Sequence, residues 1–205
     1  EAVAGSGKTT TIVYAASLIP SNLSTLFLAF NKSIATELAE VLPRNVRAAT
    51  FHSTCFGTYA KTVPSGKKIE VEPQKVANII AKKFTGEDAE EYGAFVKKAV
   101  GYAKNAGLGF LPGVTWLEII DHFDLSLDKE DSDICRAIEL ADKTLKLSDR
   151  QKLTVDFDDM LRLPLINGTS FWKNDFVFVD EAQDLNPVQQ ALLARMIKPG
   201  GRIIA

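Results

Sequence analysis

The N-terminal stretch Ala2-Val3-Ala4-Gly5-Ser6-Gly7-Lys8-Thr9-Thr10 decides the fold that this sequence predicts. Its Gly-Ser-Gly-Lys-Thr core runs into the helical pattern of residues 11–16, which is typical of a loop that wraps phosphate groups at a helix N-terminus. Backbone N–H groups and the positive end of the helix dipole meet the anion there. Gly5 and Gly7 let the backbone curve closely around the phosphates, because neither residue has a Cβ atom.

Two side chains of this stretch have specific chemistry. Lys8 supplies a positive charge for the β- and γ-phosphates, and the hydroxyl of Thr9 can ligate Mg²⁺. The usual pattern opens with glycine, whereas Ala2 occupies that position here. We predict that ATP and Mg²⁺ are the cofactors, and the predicted cofactor-binding residues are Ala4, Gly5, Ser6, Gly7, Lys8, Thr9 and Thr10.

A second motif, Asp180-Glu181-Ala182-Gln183-Asp184, directly follows the apolar run 176–179. Such a run is typical of a buried parallel strand, and ligands of open α/β sheets bind at the carboxyl ends of the strands. Asp180 would then hold the metal, and Glu181 would orient and deprotonate the attacking water. The alternative is a solvated polar turn, but the Lys8-Thr9 pair upstream favours one phosphoryl-transfer site made from both motifs.

Composition places the chain among ordinary globular proteins. It has 205 residues, of which 46% are hydrophobic and 24% are charged, and its net charge is −2. The two cysteines and two histidines make a disulfide framework or a structural zinc site implausible. No apolar run approaches the ~20 residues that span a membrane, so we expect no membrane partner and a cytoplasmic or nucleoid-associated location.

Both ends of the sequence lie inside the predicted fold. No initiator Met is present, the strand that normally precedes a phosphate loop is missing, and residues 202–205 resemble the start of another buried strand. We therefore expect the chain to be a piece of a longer protein, truncated at both ends.

Short strands and helices alternate in the first and last parts of the chain, which predicts a helix-covered parallel sheet. The predicted strands are 26–30, 46–50, 176–179 and a last one from 202. The predicted helices are 9–18, one that Asn31 caps, one that begins at Asp156 and ends at Pro164, and 188–197.

Four helical patterns without a strand signal lie between these parts, at 73–84, 90–104, 116–123 and 131–147. Thr115 and Glu118 form a predicted capping box before the third. We therefore predict an α/β fold of the P-loop NTPase class, with a RecA-like parallel sheet covered by helices and an inserted all-helical subdomain. Its predicted parts are 1–70 for the first part of the ATP-binding core, 71–150 for the insertion and 151–205 for the second part of the core.

Five motifs in order resemble those of UvrD/Rep-type superfamily 1 DNA helicases. They are Ala-Gly-Ser-Gly-Lys-Thr at 4–9, Phe-Asn-Lys at 30–32, Thr-Phe-His-Ser at 50–53, Asp-Phe-Asp-Asp at 156–159 and Asp-Glu-Ala-Gln-Asp at 180–184. The resemblance implies ATP hydrolysis coupled to movement on single-stranded DNA, 3′ to 5′. The implied partners are single-stranded DNA, duplex junctions and a second RecA-like domain of the same parent chain.

The resemblance also implies roles for individual residues. Lys8 and Glu181 would be catalytic, Thr9 and Asp180 would hold Mg²⁺, and Gln183 would contact the γ-phosphate region and link hydrolysis to the DNA site. The residues implied to contact DNA are Phe30, Asn31, Lys32, Thr50, Phe51, His52 and Ser53.

Simpler roles compete with several of these assignments. Phe51 could be a core aromatic rather than a base-stacking residue, Lys32 a solvated helix residue, and His52 a hydrogen-bonded structural residue. The acids of 156–159 could be mistaken for a metal cluster, but we favour helix capping and surface charge. For the lysines of the insertion we favour a solvated helix face over contact with duplex DNA; these are Lys82, Lys83, Lys97, Lys98 and Lys104.

Two parts of the family pattern have no counterpart in this sequence: an adenine-contacting glutamine upstream of the phosphate loop, and a second RecA-like domain whose arginines reach the γ-phosphate. We therefore expect the isolated chain to bind nucleotide weakly and neither to hydrolyse it efficiently nor to unwind DNA. Alternative functions are the helicase part of a recombination helicase–nuclease, a non-motor ATP-dependent switch that DNA does not stimulate, and action on RNA.

Overall fold

The computed structural model describes residues 8–129 and 132–205, without the side chains of Lys8 and Thr9. The chain divides into two compact units. The sheet unit contains the described residues up to Gly57, together with Ser170–Leu185 and Gln189–Ala205. The helical unit contains Thr58–Thr169 and Asn186–Val188. The boundaries after residues 70 and 150 that the sequence suggested stay predictions.

Helices and strands alternate at both ends of the chain, and helices dominate the middle. The strands are β1 Thr25–Ala29, β2 Val46–Thr50, β3 Glu70–Val71, β4 Thr154–Val155, β5 Asn174–Val179 and β6 Ile197–Ile204. The helices are α1 Lys8–Ser17, α2 Lys32–Val41, α3 Phe51–Ala60, α4 Lys75–Lys83, α5 Gly86–Ala106, α6 Trp116–His122, α7 Ile134–Arg150, α8 Phe157–Ile166 and α9 Pro187–Met196. A 3₁₀ turn covers Ala182–Asp184.

The sheet unit is built on a parallel sheet whose described strands have the order β2-β1-β5-β6. All five residues of β1 are buried, and the rings of Phe27 and Phe178 stack at 5.8 Å between centroids. Ala16 of α1 and Leu38 of α2 belong to the same apolar cluster, so helices cover this central strand pair. The predicted α/β fold with a helix-covered parallel sheet is confirmed.

Most helices and strands of the sheet unit were predicted correctly from local sequence patterns. Asn31 caps α2 as predicted, because its side chain accepts a hydrogen bond from the backbone N–H of Ile34 at 2.9 Å. The sequence analysis missed α3 altogether. Its buried residues Phe51, Cys55 and Tyr59 recur every four positions, which is a helical spacing.

The helical unit has its own apolar core, formed mainly by α4, α5, α6 and α7. The predicted capping box of Thr115 and Glu118 is present at the start of α6. The unit is not purely helical, because the two-residue strands β3 and β4 pair in parallel. The prediction that Pro164 ends α8 is wrong by two residues, since the helix continues to Ile166 with the buried Pro164 inside its last turn.

A buried ion-pair cluster ties three helices of this unit together. Lys75 of α4 donates to Asp159 at 2.6 Å, and the Nζ atom of Lys104, on α5, lies 2.7 Å from the other carboxylate oxygen of Asp159. Lys104 also pairs with Asp156. Burial by itself raises the pKa of Asp159, but the two ammonium groups hold it below its usual value.

This cluster corrects two sequence predictions. Asp156 and Asp159 do form a capping box on α8, yet both are buried, so the expected surface charge is wrong for them. Lys104 is 1% exposed and does not lie on a solvated face, whereas the other four lysines of that set are exposed. The sequence could not show that these opposite charges meet, because 52 or more positions separate them along the chain.

Within residues 8–129 and 132–205, no helix combines the length and the apolar character that crossing a bilayer requires.

Candidate functional site

The candidate site lies at the carboxyl edge of the parallel sheet, where three strands end side by side. In the register, Leu28 of β1 is paired with Val179 of β5, and Ala29 with Thr50 of β2. Each strand therefore delivers its next residues to the same edge. These residues are Phe30–Lys32 after β1, the start of α3 after β2, and the acidic segment Asp180–Asp184 after β5.

The predicted phosphate loop can be described only in part. Ala4, Gly5, Ser6 and Gly7 lie outside the described residues, and so do the side chains of Lys8 and Thr9. What the structure shows is that Lys8–Ser17 is helical and that Thr10 is exposed. A helix over these residues agrees with the helix predicted to follow the phosphate loop, and the loop and its contacts stay a prediction.

A backbone hydrogen bond fixes Asp180 at the sheet edge. Its N–H donates to the carbonyl of Leu28 at 3.0 Å, which continues the pairing of β5 with β1 by one residue. The side chain of Asp180 is half-buried. Asp180 therefore lies at the end of β5, where the sequence analysis expected it, and its role as a metal ligand stays a prediction.

The chain turns sharply at Glu181. Its backbone is left-handed, with φ 49° and ψ 50°, a conformation that is uncommon for residues other than glycine. Its carbonyl accepts the N–H of Asp184 at 3.0 Å, and its carboxylate accepts a hydrogen bond from the side-chain amide of Gln183. The structure thus pairs Glu181 with Gln183, both exposed to solvent. Strained backbone of this kind is often found at functional sites.

A cavity of about 150 Å³ opens at this edge of the sheet unit. Its walls combine aromatic rings with carboxylates. The lining residues are Ala29, Phe30, Phe51, His52, Asp180, Glu181, Asp184, Leu185 and Gln189. The sequence analysis had not assigned Asp184, Leu185 or Gln189 to a site, because only the fold brings them beside the ends of β1 and β2.

The two segments predicted to contact DNA present their side chains differently. After β1, the ring of Phe30 is 67% exposed and Lys32 is exposed, while the side-chain oxygen of Asn31 accepts the N–H of Ile34 and caps α2. After β2, Phe51 is only 5% exposed and His52 is half-buried. Of the two phenylalanines, Phe30 presents its ring to solvent and Phe51 does not.

Thr50 and Ser53 cap the start of α3, a role that the sequence analysis did not predict. The N–H of Ser53 donates to the hydroxyl of Thr50, and the N–H of Thr50 donates to the hydroxyl of Ser53, both at 3.1 Å. This reciprocal pairing resembles a capping box at the start of α3. It orients Phe51 and His52 at the sheet edge.

In the described part of the chain, no group of three or more His, Cys, Asp or Glu residues is arranged to hold a metal ion. Asp180 is the described member of the predicted Mg²⁺ pair, and Thr9 is the other. A nucleotide-bound Mg²⁺ needs few protein ligands, because phosphate oxygens and water complete its shell. Asp180 can supply one carboxylate ligand to such an ion, and the Mg²⁺ site as a whole stays a prediction.

Two comparisons with known proteins agree with this geometry. The AAA domain family matches residues 1–205. F-box DNA helicase 1 of Gallus gallus is 25% identical over 216 aligned positions, which cover 91% of this chain and 19% of the helicase. The chain thus spans less than a quarter of the length of this relative.

Proposed function

Because this chain belongs to the AAA domain family, we propose that it is the nucleotide-binding part of a motor that couples ATP hydrolysis to movement along single-stranded DNA. One observation carries the proposal: the exposed ring of Phe30 and the carboxylates of Asp180 and Glu181 line the same cavity at one sheet edge. The resemblance to a DNA helicase supports DNA as the partner.

The acidic segment would perform the nucleotide chemistry. Asp180, fixed by its backbone bond to Leu28, would hold Mg²⁺ with the hydroxyl of Thr9. Glu181 would orient the attacking water and accept its proton. Bound Mg²⁺–ATP supplies the phosphoanhydride bond that is cleaved, and Lys8 would balance the phosphate charge from the start of α1.

Gln183 would link the state of the bound nucleotide to the DNA contacts by a change of hydrogen-bond partner. Its amide donates to the carboxylate of Glu181. If the amide of Gln183 instead donated to the γ-phosphate, its hydrogen bond to Glu181 would be lost. The carboxylate of Glu181 would then be able to accept a hydrogen bond from the attacking water. The exchange of this one hydrogen bond is a local event that can bias a larger rearrangement.

Phe30 would stack on a base of the DNA strand, and Lys32 in the following turn would meet a phosphate. Phe51 and His52 would close the side of the cavity beneath that base. Because stacking accepts any base, the contact would be independent of sequence, as a translocating motor requires.

We extend the proposal to the UvrD/Rep type of superfamily 1 helicase, with 3′ to 5′ movement, duplex junctions as substrates and a second RecA-like domain as the partner. Its support is the five ordered motifs of the sequence. Since that second domain would complete the ATP site, we expect the isolated chain to bind nucleotide weakly and not to unwind DNA.

The DNA contact is tested with the full-length protein and a fluorescent oligothymidine by anisotropy. Loss of one stacked base costs about 1–3 kcal/mol, so Phe30→Ala should weaken binding at least about fivefold. Tyr14→Ala is the matched control, because Tyr14 is an equally exposed aromatic residue, at 65%, on α1. Equal affinity of the two variants would contradict the proposed DNA contact.

A further inference from the structure

The short strand β3 of the helical unit has one edge that no described strand covers. In the described part of the chain β3 pairs with β4 alone, and both strands belong to this unit. The N–H of Glu70 donates to the carbonyl of Leu153 at 2.8 Å. The N–H of Glu72 donates to the carbonyl of Val155, also at 2.8 Å. One edge of β3 is therefore used by β4, and the other edge is open.

The backbone groups on the open edge follow from the geometry of the peptide bond. In a trans peptide, the C=O of one residue and the N–H of the next point in opposite directions. Since the N–H groups of Glu70 and Glu72 face β4, the carbonyls of Ile69 and Val71 face away from it. The N–H of Val71 faces away as well, because backbone groups alternate along a strand. Within residues 8–129 and 132–205, none of these three groups is hydrogen-bonded to another residue.

The side chains along this edge leave room for another chain. Val71 is 41% exposed. A groove of about 610 Å³ is lined by four consecutive residues, Lys68, Ile69, Glu70 and Val71, so it follows the direction of the strand. Open strand edges are commonly protected by proline or lysine within the strand, whereas residues 69–72 contain neither. The edge is thus accessible to an extended polypeptide.

The charges on β3 specify which residues such a polypeptide needs. Glu70 and Glu72 flank Val71 and line the same cavity, of about 270 Å³, as the exposed Lys82 and Lys83 of α4. No ion pair joins these glutamates to the two lysines in the part of the chain that the structure describes. Residues directly opposite on neighbouring strands attract each other when their charges differ in sign. A strand that pairs with β3 therefore needs a basic residue on each side of an apolar one.

A second copy of this chain fits the open edge less well than a separate polypeptide. An antiparallel copy that placed its Ile69 opposite Val71 would place its Glu70 opposite Glu70, because the numbers of paired residues then have a constant sum. Like charges directly opposite each other destabilise a sheet. The central position is therefore unfavourable for pairing between two copies and favourable for a partner with lysine or arginine there.

We propose that the open edge of β3 binds an extended segment of a partner polypeptide, which adds to it as an antiparallel strand. The segment has the pattern basic–apolar–basic–apolar, with its first apolar residue opposite Val71 and its basic residues opposite Glu72 and Glu70. The residue opposite Val71 exchanges two backbone hydrogen bonds with it, and the carbonyl of Ile69 accepts a further one. The proposal does not depend on the proposed function, because it involves neither nucleotide nor DNA.

The test is binding of the fluorescein-labelled peptide Thr-Lys-Val-Lys-Val-Glu-Thr to the full-length protein, measured by anisotropy. We expect saturable binding. Methylation of the backbone nitrogen of the first valine should weaken binding about two- to tenfold, because this N–H donates to the carbonyl of Val71 in the proposed pairing. Methylation of the backbone nitrogen of the second lysine is the matched control. It should leave the affinity unchanged, since that N–H faces away from β3.

Variants of the protein test the charges and the backbone separately. Glu70→Lys should weaken binding of this peptide about two- to tenfold and strengthen binding of the charge-reversed peptide Thr-Glu-Val-Glu-Val-Lys-Thr. Glu90→Lys is the matched control, because Glu90 is an exposed acid of α5 in the same unit and the net charge changes equally. Val71→Pro should also weaken binding, because proline removes the outward N–H and leaves the pairing with β4 in place.

The proposal is overturned if the peptide shows no saturable binding, or if the two methylated peptides bind with equal affinity. Equal effects of Glu70→Lys and Glu90→Lys would also overturn it, since the attraction would then depend on overall charge alone. Sedimentation of the protein without peptide tests the other occupant. A dimer that Val71→Pro abolishes would assign the edge to a second copy of the chain and contradict the separate partner.

Discussion

At the scale of single residues, Glu181 combines an unfavourable backbone conformation with a chemically useful side chain. Its left-handed φ and ψ place the carboxylate beside Gln183 at the cavity that Phe30 also lines. The sequence analysis assigned Glu181 the role of the base because the Lys8-Thr9 pair lies upstream, and that role stays a prediction. The turn itself was not predictable, since glutamate rarely adopts it.

The charged side chain of Asp175, near the N-terminal end of β5, is expected to stabilise the folded protein. Hydrogen bonds from Lys198 and Ser24 lower the pKa of its carboxyl to about 2. Since the folded-state pKa lies below the unfolded value of about 3.9, this stabilisation is complete above about pH 4 and is lost as pH falls towards 2.

We therefore expect Asp175→Asn to have a lower Tm than the unaltered protein at pH 6. This difference in Tm should shrink steadily between about pH 4 and pH 2. Thermal unfolding across this range measures it. Glu40→Gln, an exposed acid of α2 in the same unit, serves as the control with little difference at either pH. A difference that is constant with pH would refute the role of the charge.

Gly107 illustrates a conformation that only glycine adopts easily. It ends α5 with φ 84°, and an added Cβ atom would lie 2.6 Å from Cγ of Leu111. Gly107→Ala should destabilise the protein by about 1–3 kcal/mol in urea unfolding. Gly57→Ala on α3, where an added Cβ meets nothing within 4 Å, should be neutral or stabilising. The opposite order of the two variants would contradict this account.

At the scale of secondary-structure elements, features that depend on neighbouring residues could be predicted from the sequence, whereas contacts between distant residues could not. The apolar runs of β1 and β5, the cap at Asn31 and the capping box at Thr115 could be predicted, because each depends on neighbouring residues. The missed α3 has a regular spacing of buried residues, but it follows β2 directly, with no loop, glycine or proline between them. Its start is set by Thr50 and Ser53, which the sequence analysis had considered only as DNA contacts.

The buried ion pairs could not be predicted, since α4, α5 and α8 meet only in the fold. Lys75 donates to Asp159 and to the backbone carbonyls of Ser148 and Gln151, at 2.8 and 3.3 Å. Burial lowers the pKa of Lys75, and the nearby carboxylate of Asp159 opposes that shift. The lysine therefore joins three elements at one buried point.

Removal of the Lys75 ammonium group should destabilise the fold strongly, because the carboxylate of Asp159 stays buried and loses one of its two cationic partners. We expect Lys75→Met to lower the free energy of unfolding by about 3–5 kcal/mol, measured by urea unfolding. Lys82→Met on the same helix, where the lysine is exposed, should change it by about 0.5 kcal/mol or less. Similar stabilities of the two variants would show that the buried pair contributes little.

At the scale of the whole molecule, the AAA domain family match over residues 1–205 agrees with the parallel sheet and its helical unit. Three of the five sequence motifs, at 30–32, 50–53 and 180–184, lie at the carboxyl edge of that sheet, where its parallel strands end. The motif at 156–159 lies at the start of α8 in the helical unit. The cavity at this edge could not be predicted in full, because Leu185 and Gln189 reach it only through the fold.

The most direct test of the central claim, that one sheet edge serves both ATP and DNA, is ATP hydrolysis by the full-length protein with and without single-stranded DNA. We expect strong stimulation by DNA, and its loss in both Lys8→Ala and Glu181→Gln, since the first removes the phosphate charge and the second the base. Hydrolysis that the same variants abolish but that DNA does not change would contradict the claim and indicate a nucleotide-dependent switch.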